Sequence, residues 1–544
     1  MRLTTTADQW WTTGIGYCLD VARFACSTGD GHGDLVGLGR RIDHLERLGV
    51  GFVWLQPFYP SPEGDDGYDI SDYYAVAEDV GTLGDLVEVV RALRERGIRV
   101  LVDLVVNHTS DTHPWFRAAR ADKGSRYRDW YVWRDEPDPA DADAQNVFPD
   151  AEDSVWSYDE EAGQHYRHRF YGHQPDLNTS NAEVRDEILK IMGFWLQLGV
   201  AGFRVDAVPF FVETAARDGD ADDAGAPDGE DEADGGQGGE GGEHLGESMQ
   251  MLDVMREFLA RRSSEALMLG EVNLPYEQQQ EFFGDLGDRM TINFDFPLNQ
   301  ALYLSLARGS SAPLRGTLES RPVLPEGKAY GVFARNHDEL TLDQLSDDER
   351  AEVMAAFGPR EDQQLFGRGL RLRLPTMLDG DLDRLEMVYS LVFSVPGTPV
   401  LYYGEEVAQR EDLSAPGRVA VRTPLDWGDG EAGVAAQDAD PASMLHRMRR
   451  LTTLYKQRPE LGRGALRLVD VGDERVLAHT CTWDGRTTLA LANLGDEPVE
   501  VRVPGGLLAG RVTELFSAEP VAAPEEGIAV TLPRYGRAWY AEHR

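Results

Sequence analysis

The sequence predicts an α/β fold: a (β/α)8 barrel of the TIM type, with a small domain inserted after the third strand and a C-terminal antiparallel β-sandwich. Three observations carry this expectation. Short apolar or β-branched runs alternate with helical stretches over most of the 544 residues. An unusually long gap follows the third run, and from about Ala465 the pattern changes to residue-by-residue alternation.

The eight runs are IGYCLDV, GFVWLQP, RVLVDLVV, GFRVDAV, ALMLGEV, MTINFDF, YGVFARN and TPVLYYG. Each is a short, nearly continuous apolar run, as expected of a strand buried on both faces. Between them, DLVEVVRALRERG and RDEILKIMGFWLQLG repeat apolar residues at three- and four-residue spacing, which gives each helix one stripe to lay on the barrel. The barrel is assigned to residues 1–107 and 179–460. Residues 108–178, rich in Trp, Tyr, Asp and His, are too many for an ordinary connection and form the expected inserted domain over the barrel's mouth. Residues 465–544 carry RTTLALANL, VEVRV and GIAVTLP between Gly or Pro turns, the signature of an antiparallel β domain. Within the barrel, the acidic, Gly-rich stretch from Arg217 to Glu247 has almost no apolar content and reads as a disordered loop. It is read as a tolerated, solvated insertion in preference to a lid.

A formal net charge of -42 disfavours nucleic acid and anionic membrane surfaces as partners and suits a small neutral substrate. The N-terminal MRLTTTADQWW lacks the apolar core of a secretory leader, and no apolar run is long enough to span a bilayer, so a cytoplasmic location is expected. Cys18, Cys26 and Cys481 are too few and too scattered for a disulfide framework or a zinc site.

In a barrel of this type the chemistry sits where strands end. Asp103 lies within LVDLVVNH, Asp206 ends GFRVD, Glu271 ends LMLGE and Asp338 follows VFARNH. Any one acid at a strand end is explained by turn and cap preferences. Four together, with Arg and His beside them, suit retaining glycoside transfer, in which an ionised carboxylate attacks the anomeric carbon and a protonated one feeds the leaving group. Arg204 and Asp206 occupy alternate positions of one strand and leave by the same face, so the guanidinium would align the carboxylate and favour its ionised form. Asp206 is therefore expected as nucleophile, and Glu271, crowded by other carboxylates, as acid/base. His108 and His337, each in an Asn-His pair at a strand end, are candidate hydrogen-bond donors to sugar hydroxyls.

DLVVNH, GFRVDAV, GEVN and NHD resemble, in order, the four main segments of the α-amylase superfamily, glycoside hydrolase family 13, and the resemblance runs over nearly the whole chain. It implies Asp206 as nucleophile, Glu271 as acid/base and Asp338 as transition-state stabiliser. It also implies that Arg204, His108 and His337 contact the first sugar, that Asp103 is structural, and that Tyr68 stacks on the sugar while Asp69 binds a hydroxyl. Within the superfamily, QPFYPSPEGDDGYDISDY, HRFYGHQPDLN, RNHDELTL and VRTPLDW resemble the branch that holds oligo-1,6-glucosidases and trehalose synthases. That branch implies interconversion of maltose and trehalose, with exo-acting hydrolysis of α-1,4-glucosides as the alternative and a non-catalytic binding role ranked last. The resemblance further implies that Asp69 and Arg422 close the pocket behind one glucose unit. It implies a structural calcium held by Asn107, Asp176, Glu213 and the carbonyls of Phe210 and Phe211, and no organic cofactor. A second metal loop of the family is matched only in part by CSTGDGHGD, where Asp30 and Asp34 remain but Cys26 and Thr28 replace oxygen ligands, so no metal is expected there. Two departures stand out: the short connection after VRTPLDW and the acidic insertion. Isomerisation needs the freed glucose to stay enclosed, so the first departure bears on the outcome of the reaction.

Overall fold

The structure, a computed structural model, describes residues 9–141, 144, 146–211, 249–430, 432–508, 511–522 and 527–542. The acidic stretch 217–247 and Glu213 lie outside the described residues.

All eight expected runs are strands. In chain order, β1 (Gly16–Leu19), β2 (Phe52–Leu55) and β3 (Arg99–Leu104) precede the insertion. The insertion contributes β4 (Trp133–Arg134), β5 (Trp156–Asp159) and β6 (Gln164–Arg167). The barrel resumes with β7 (Gly202–Val205), β8 (Leu267–Gly270), β9 (Ile292–Phe294) and β10 (Ala329–Val332). Three short strands follow, β11 (Leu340–Thr341), β12 (Gln364–Leu365) and β13 (Gly369–Leu370), before β14 (Thr398–Tyr402) pairs with β1 and closes the barrel in the order β1-β14-β10-β9-β8-β7-β3-β2. Every barrel pairing is parallel, which explains why the runs lack polar alternation: both faces are covered. Gly202 is required at the start of β7, because a Cβ there would meet the Leu267 carbonyl oxygen at 2.2 Å.

The helical stripes form as expected at Leu83–Glu95 and Ala182–Gln197, the first begun by a Thr82–Asp85 capping box and the second by Asn181. In the insertion β4, β6 and β5 make an antiparallel sheet, and isolated bridges His108↔Asp176 and Tyr131↔Leu177 fasten its closing segment to its start and to its interior. The β11-β13-β12 sheet was not foreseen; strands of two residues carry no readable periodicity.

After the barrel, β15 (Ala465–Val469), β16 (Val476–Trp483), β17 (Arg486–Asn493), β18 (Val499–Val503), β19 (Arg511–Glu514), β20 (Glu519–Ala522), β21 (Ile528–Leu532) and β22 (Arg537–Glu542) form a six-stranded antiparallel sheet and a β18-β21 pair. The two sheets share one core that includes Val501, Val530, Leu489 and Tyr540, a sandwich. The other face of the larger sheet packs on the barrel: Leu477, Cys481, Ala490 and Trp539 belong to the barrel's own hydrophobic core. Buried Glu386, on the barrel helix Leu382–Ser394, is paired there with Arg447, Arg450 and, from β22, Arg537.

Candidate active site

The ends of β3, β7, β8 and β10 converge on a cavity of about 320 Å³ at the barrel's mouth, lined by Tyr68, His108, Asp206, Glu271, His337 and Asp338 among others. Six of the residues singled out in the sequence are therefore brought together.

Arg204 lies buried beneath them on β7. Its Nη1 donates to Asp103 at 2.6 Å and to Asp206, and its Nη2 is ion-paired with Glu271 at 2.9 Å. One guanidinium thus ties the two carboxylates into a single ion-paired group. The backbone helps. Ala207 takes a left-handed φ of 48°, unusual without a glycine, and this turn aims its N–H at Glu271, 3.1 Å away. Asp103 is wholly enclosed: besides Arg204 it accepts from Trp54 Nε1 at 2.7 Å and from the Tyr68 hydroxyl at 3.3 Å. It anchors the arginine and does not line the cavity.

Burial raises Asp206 to about 6, with Arg204 pulling the other way. Burial also raises Glu271, to about 7, because Asp206 and Asp338 add their repulsion to the loss of water. Burial would raise Asp338 as well, but Arg418, His337, Arg422 and Arg204 outweigh it and hold the group well below the usual carboxylate range. The three acids are thus separated in the order a retaining site needs, with Glu271 the last to ionise.

His337 and His108 are both kept neutral by burial, His108 pushed down to about 3 and His337 well below its ordinary value. Nε2 of His337 lies 2.7 Å from the Tyr68 hydroxyl and 3.3 Å from Asp338, and its ring stacks on Tyr68. His108 is held by Asn107 and Gln174.

Two expectations are corrected. Asp69 does not reach the cavity: its carboxylate accepts from Ser61 Oγ at 2.6 Å and from the backbone N–H groups of Gly64 and Asp65, so it ties its own turn together. Asp65, four residues earlier, lines the cavity instead, raised to about 6 by burial. Arg422 does not pair with Asp69 either. It donates to Asp66 at 2.5 Å, to Asp338 at 3.1 Å and to the His337 carbonyl, and does not line the cavity. Arg418, 3.3 Å from Asp338 and 2.6 Å from Glu339, lines the cavity instead, as do Arg169 and Arg368. Three acids stand within DDGYD, and only the turn's geometry separates them; Arg418 could have been sought one helical turn before Arg422.

At the junction with the insertion, Asn107 Nδ2 donates to Asp176 at 3.2 Å, and Asn107 Oδ1 is a buried oxygen with no hydrogen-bonding partner. An unpaired carbonyl oxygen beside a buried carboxylate fits a hard cation. Among the described residues no group of three or more His, Cys, Asp or Glu side chains could hold a metal, so such a site depends on Asn and backbone oxygens and on Glu213, which is not described. Asp34 caps the helix Leu35–Arg40, and Asp30 accepts from the N–H of His32, so both carboxylates of the N-terminal loop are in local use.

Comparison with known proteins agrees with this geometry. Residues 21–353 match the model of the alpha amylase catalytic domain, and residues 466–539 match the maltogenic amylase C-terminal domain. The chain is 33% identical to a trehalose synthase of Pimelobacter sp., with 98% of this chain and 96% of the relative covered. It is 34% identical to a trehalose synthase/amylase of Mycobacterium tuberculosis, covering 98% and 90%. An oligo-1,6-glucosidase of Parageobacillus thermoglucosidasius is 30% identical over 95% of this chain and 96% of its own. Among solved structures, an alpha-amylase from H. orenii superposes with a TM-score of 0.75 at 25% identity, covering 97% of this chain and 99% of that one. A trehalulose synthase mutant in complex with Tris gives 0.74 at 26%, covering 98% and 100%. With the barrel, the strand-end carboxylates and these matches in hand, the chain belongs to the α-amylase family, glycoside hydrolase family 13.

Proposed function

We propose that the protein interconverts maltose and trehalose by intramolecular transglucosylation with retention. The observation that carries this is the sharing of Arg204 by Asp206 and Glu271, with Glu271 the more reluctant to ionise. The Asp206 carboxylate attacks the anomeric carbon while the Glu271 carboxyl passes its proton to the departing oxygen, leaving a glucosyl-Asp206 ester and free glucose. The freed glucose turns in the cavity. Its 1-hydroxyl then attacks the ester, Glu271 takes the proton, and Asp206 leaves as a carboxylate. Asp338, ionised throughout, faces the charge that develops on the sugar ring. The likeness to trehalose synthases over nearly the full chain supports this reading.

Water in place of the retained glucose would make the same machinery an exo-acting α-glucosidase. The short connection after VRTPLDW and the similarity to an oligo-1,6-glucosidase favour keeping this as the second reading. Asn107, Asp176, Glu213 and the Phe210 and Phe211 carbonyls are proposed to hold a calcium ion, which would pin the insertion beside the site. A cytoplasmic location is proposed with it: no helix among the described residues is long and apolar enough to cross a membrane, and the net charge is strongly negative.

Incubating the purified protein with maltose and resolving trehalose, glucose and longer sugars by chromatography tests the reading, with Asp206→Asn as control. Trehalose as main product is expected. Glucose alone would make the protein a hydrolase.

A further inference from the structure

If the first reading holds, something must hold the departing glucose while it turns, and the connection after VRTPLDW is short. The structure offers another wall. Between β12 and β13, Leu365 pairs with Gly369 and the chain reverses through Phe366 and Gly367, both left-handed at φ 56° and 62°. Such a turn normally carries Asn or Gly, and a bulky aromatic residue there is strained. The strain coincides with contacts to the inserted domain.

The Phe366 ring lies 5.2 Å from Phe148, which itself stacks on Tyr171 at 4.1 Å. The Arg418 guanidinium lies 4.8 Å from Phe148 and 5.6 Å from Phe366, so the cation beside Asp338 also touches both rings. Arg368, at the end of the turn, donates through Nη2 to the Val147 carbonyl at 2.7 Å. That carbonyl is itself fixed, since Val147 N donates to Arg169 O and Asn146 Nδ2 to Phe170 O. Arg368 and Val147 both line the cavity, and Arg368 Nε is buried without a hydrogen-bonding partner.

We propose that the Phe366–Arg368 turn is the latch that retains the freed glucose, with Arg368 fastening the turn to the inserted domain through Nη2 and offering Nε–H to a hydroxyl of the acceptor sugar. This rests on the transglucosylase reading above. It assigns an acceptor-binding role to Arg368 and a supporting one to the strained Phe366, whose ring packs against Phe148 and Arg418 behind the lining residues.

The test measures partition rather than rate. Maltose is supplied with excess carbon-13-labelled glucose, and mass spectrometry reads both the glucose released per maltose consumed and the label carried into trehalose. The parent should release little glucose and incorporate little label. Arg368→Ala should raise both on the order of fivefold, the factor one hydrogen bond commands, and Arg368→Lys, which can still reach Val147, should recover part of the loss. Phe366→Asn suits the left-handed turn better than Phe does, so it should keep or raise the melting temperature while also raising glucose release. If Arg368→Ala and Phe366→Asn both partition as the parent does, the latch is wrong. A parent that yields glucose and no trehalose would fail before any variant is compared, and would overturn the transglucosylase reading and the latch together.

Discussion

Glu271 and Asp206 share one cation: Nη2 of Arg204 lies 2.9 Å from Glu271, while Nη1 of the same guanidinium donates to Asp206. Neither carboxylate can change its charge without changing the field on the other, and Asp103 completes the set at 2.6 Å. The electrostatics of the site therefore belong to the group as a whole.

The first consequence is a narrow pH profile. Asp206, raised to about 6, must be ionised, so activity falls as pH drops through that value. Glu271, raised to about 7, must be protonated, so activity falls as pH rises past it. kcat/KM on maltose should be bell-shaped with its maximum between the two. Glu271→Gln should cost about 10²–10⁴ in rate and abolish the alkaline limb. A parent profile still flat at pH 9 would remove Glu271 from the acid's role.

Arg204→Met would leave Asp103, Asp206 and Glu271 buried without their shared cation. The expected cost is about 3–5 kcal/mol of stability at neutral pH. With their folded pKa values raised further above those of the unfolded chain, the three acids protonate readily in the native state, so the penalty should shrink as pH falls toward 5. Urea melts at pH 7.5 and 5 would measure the difference.

Asp66 gives the opposite sign. Burial would raise it, yet Arg422 at 2.5 Å and Arg23 at 2.7 Å outweigh burial and hold it at about 2. Its folded pKa is depressed, so its contribution is present above the unfolded value near ~4 and is lost as pH falls through about 2. Asp66→Asn should cost about 2 kcal/mol or more at pH 7, with the deficit shrinking toward pH 2. An equal deficit at both pH values would show that the ion pairs do not account for it.

Calcium removal should lower the melting temperature of the parent, and Asn107→Ala should melt near the chelated parent with no further response to chelator. Scanning calorimetry with and without EDTA decides this. A parent indifferent to chelator would refute the cation.

The eight barrel strands were legible because burial on both faces leaves uninterrupted apolar runs. Asp206, Glu271 and Asp338 were legible because they end those runs. What the sequence hid was decided by turns and by distance. Asp65, Asp66 and Asp69 differ only in which way one loop points them, and Asp69 spends its carboxylate on that loop. Arg418 meets Asp338 from eighty positions away, and its place one turn before Arg422 is the one local hint of it. Likewise β12 and β13 are too short for periodicity, and a Phe at a left-handed turn position contradicts the local signal for a turn.

The seam between barrel and sandwich has a consequence for modular exchange. His479 and Cys481 of β16 both approach the Ser394 carbonyl of the barrel, at 3.0 and 3.3 Å, and Arg537 of β22 completes the arginine set on Glu386. Grafting a foreign C-terminal sandwich onto this barrel would have to reproduce an arginine at one position and apolar side chains at several others, or water would enter the barrel's own core. The two parts should therefore melt as a single cooperative unit.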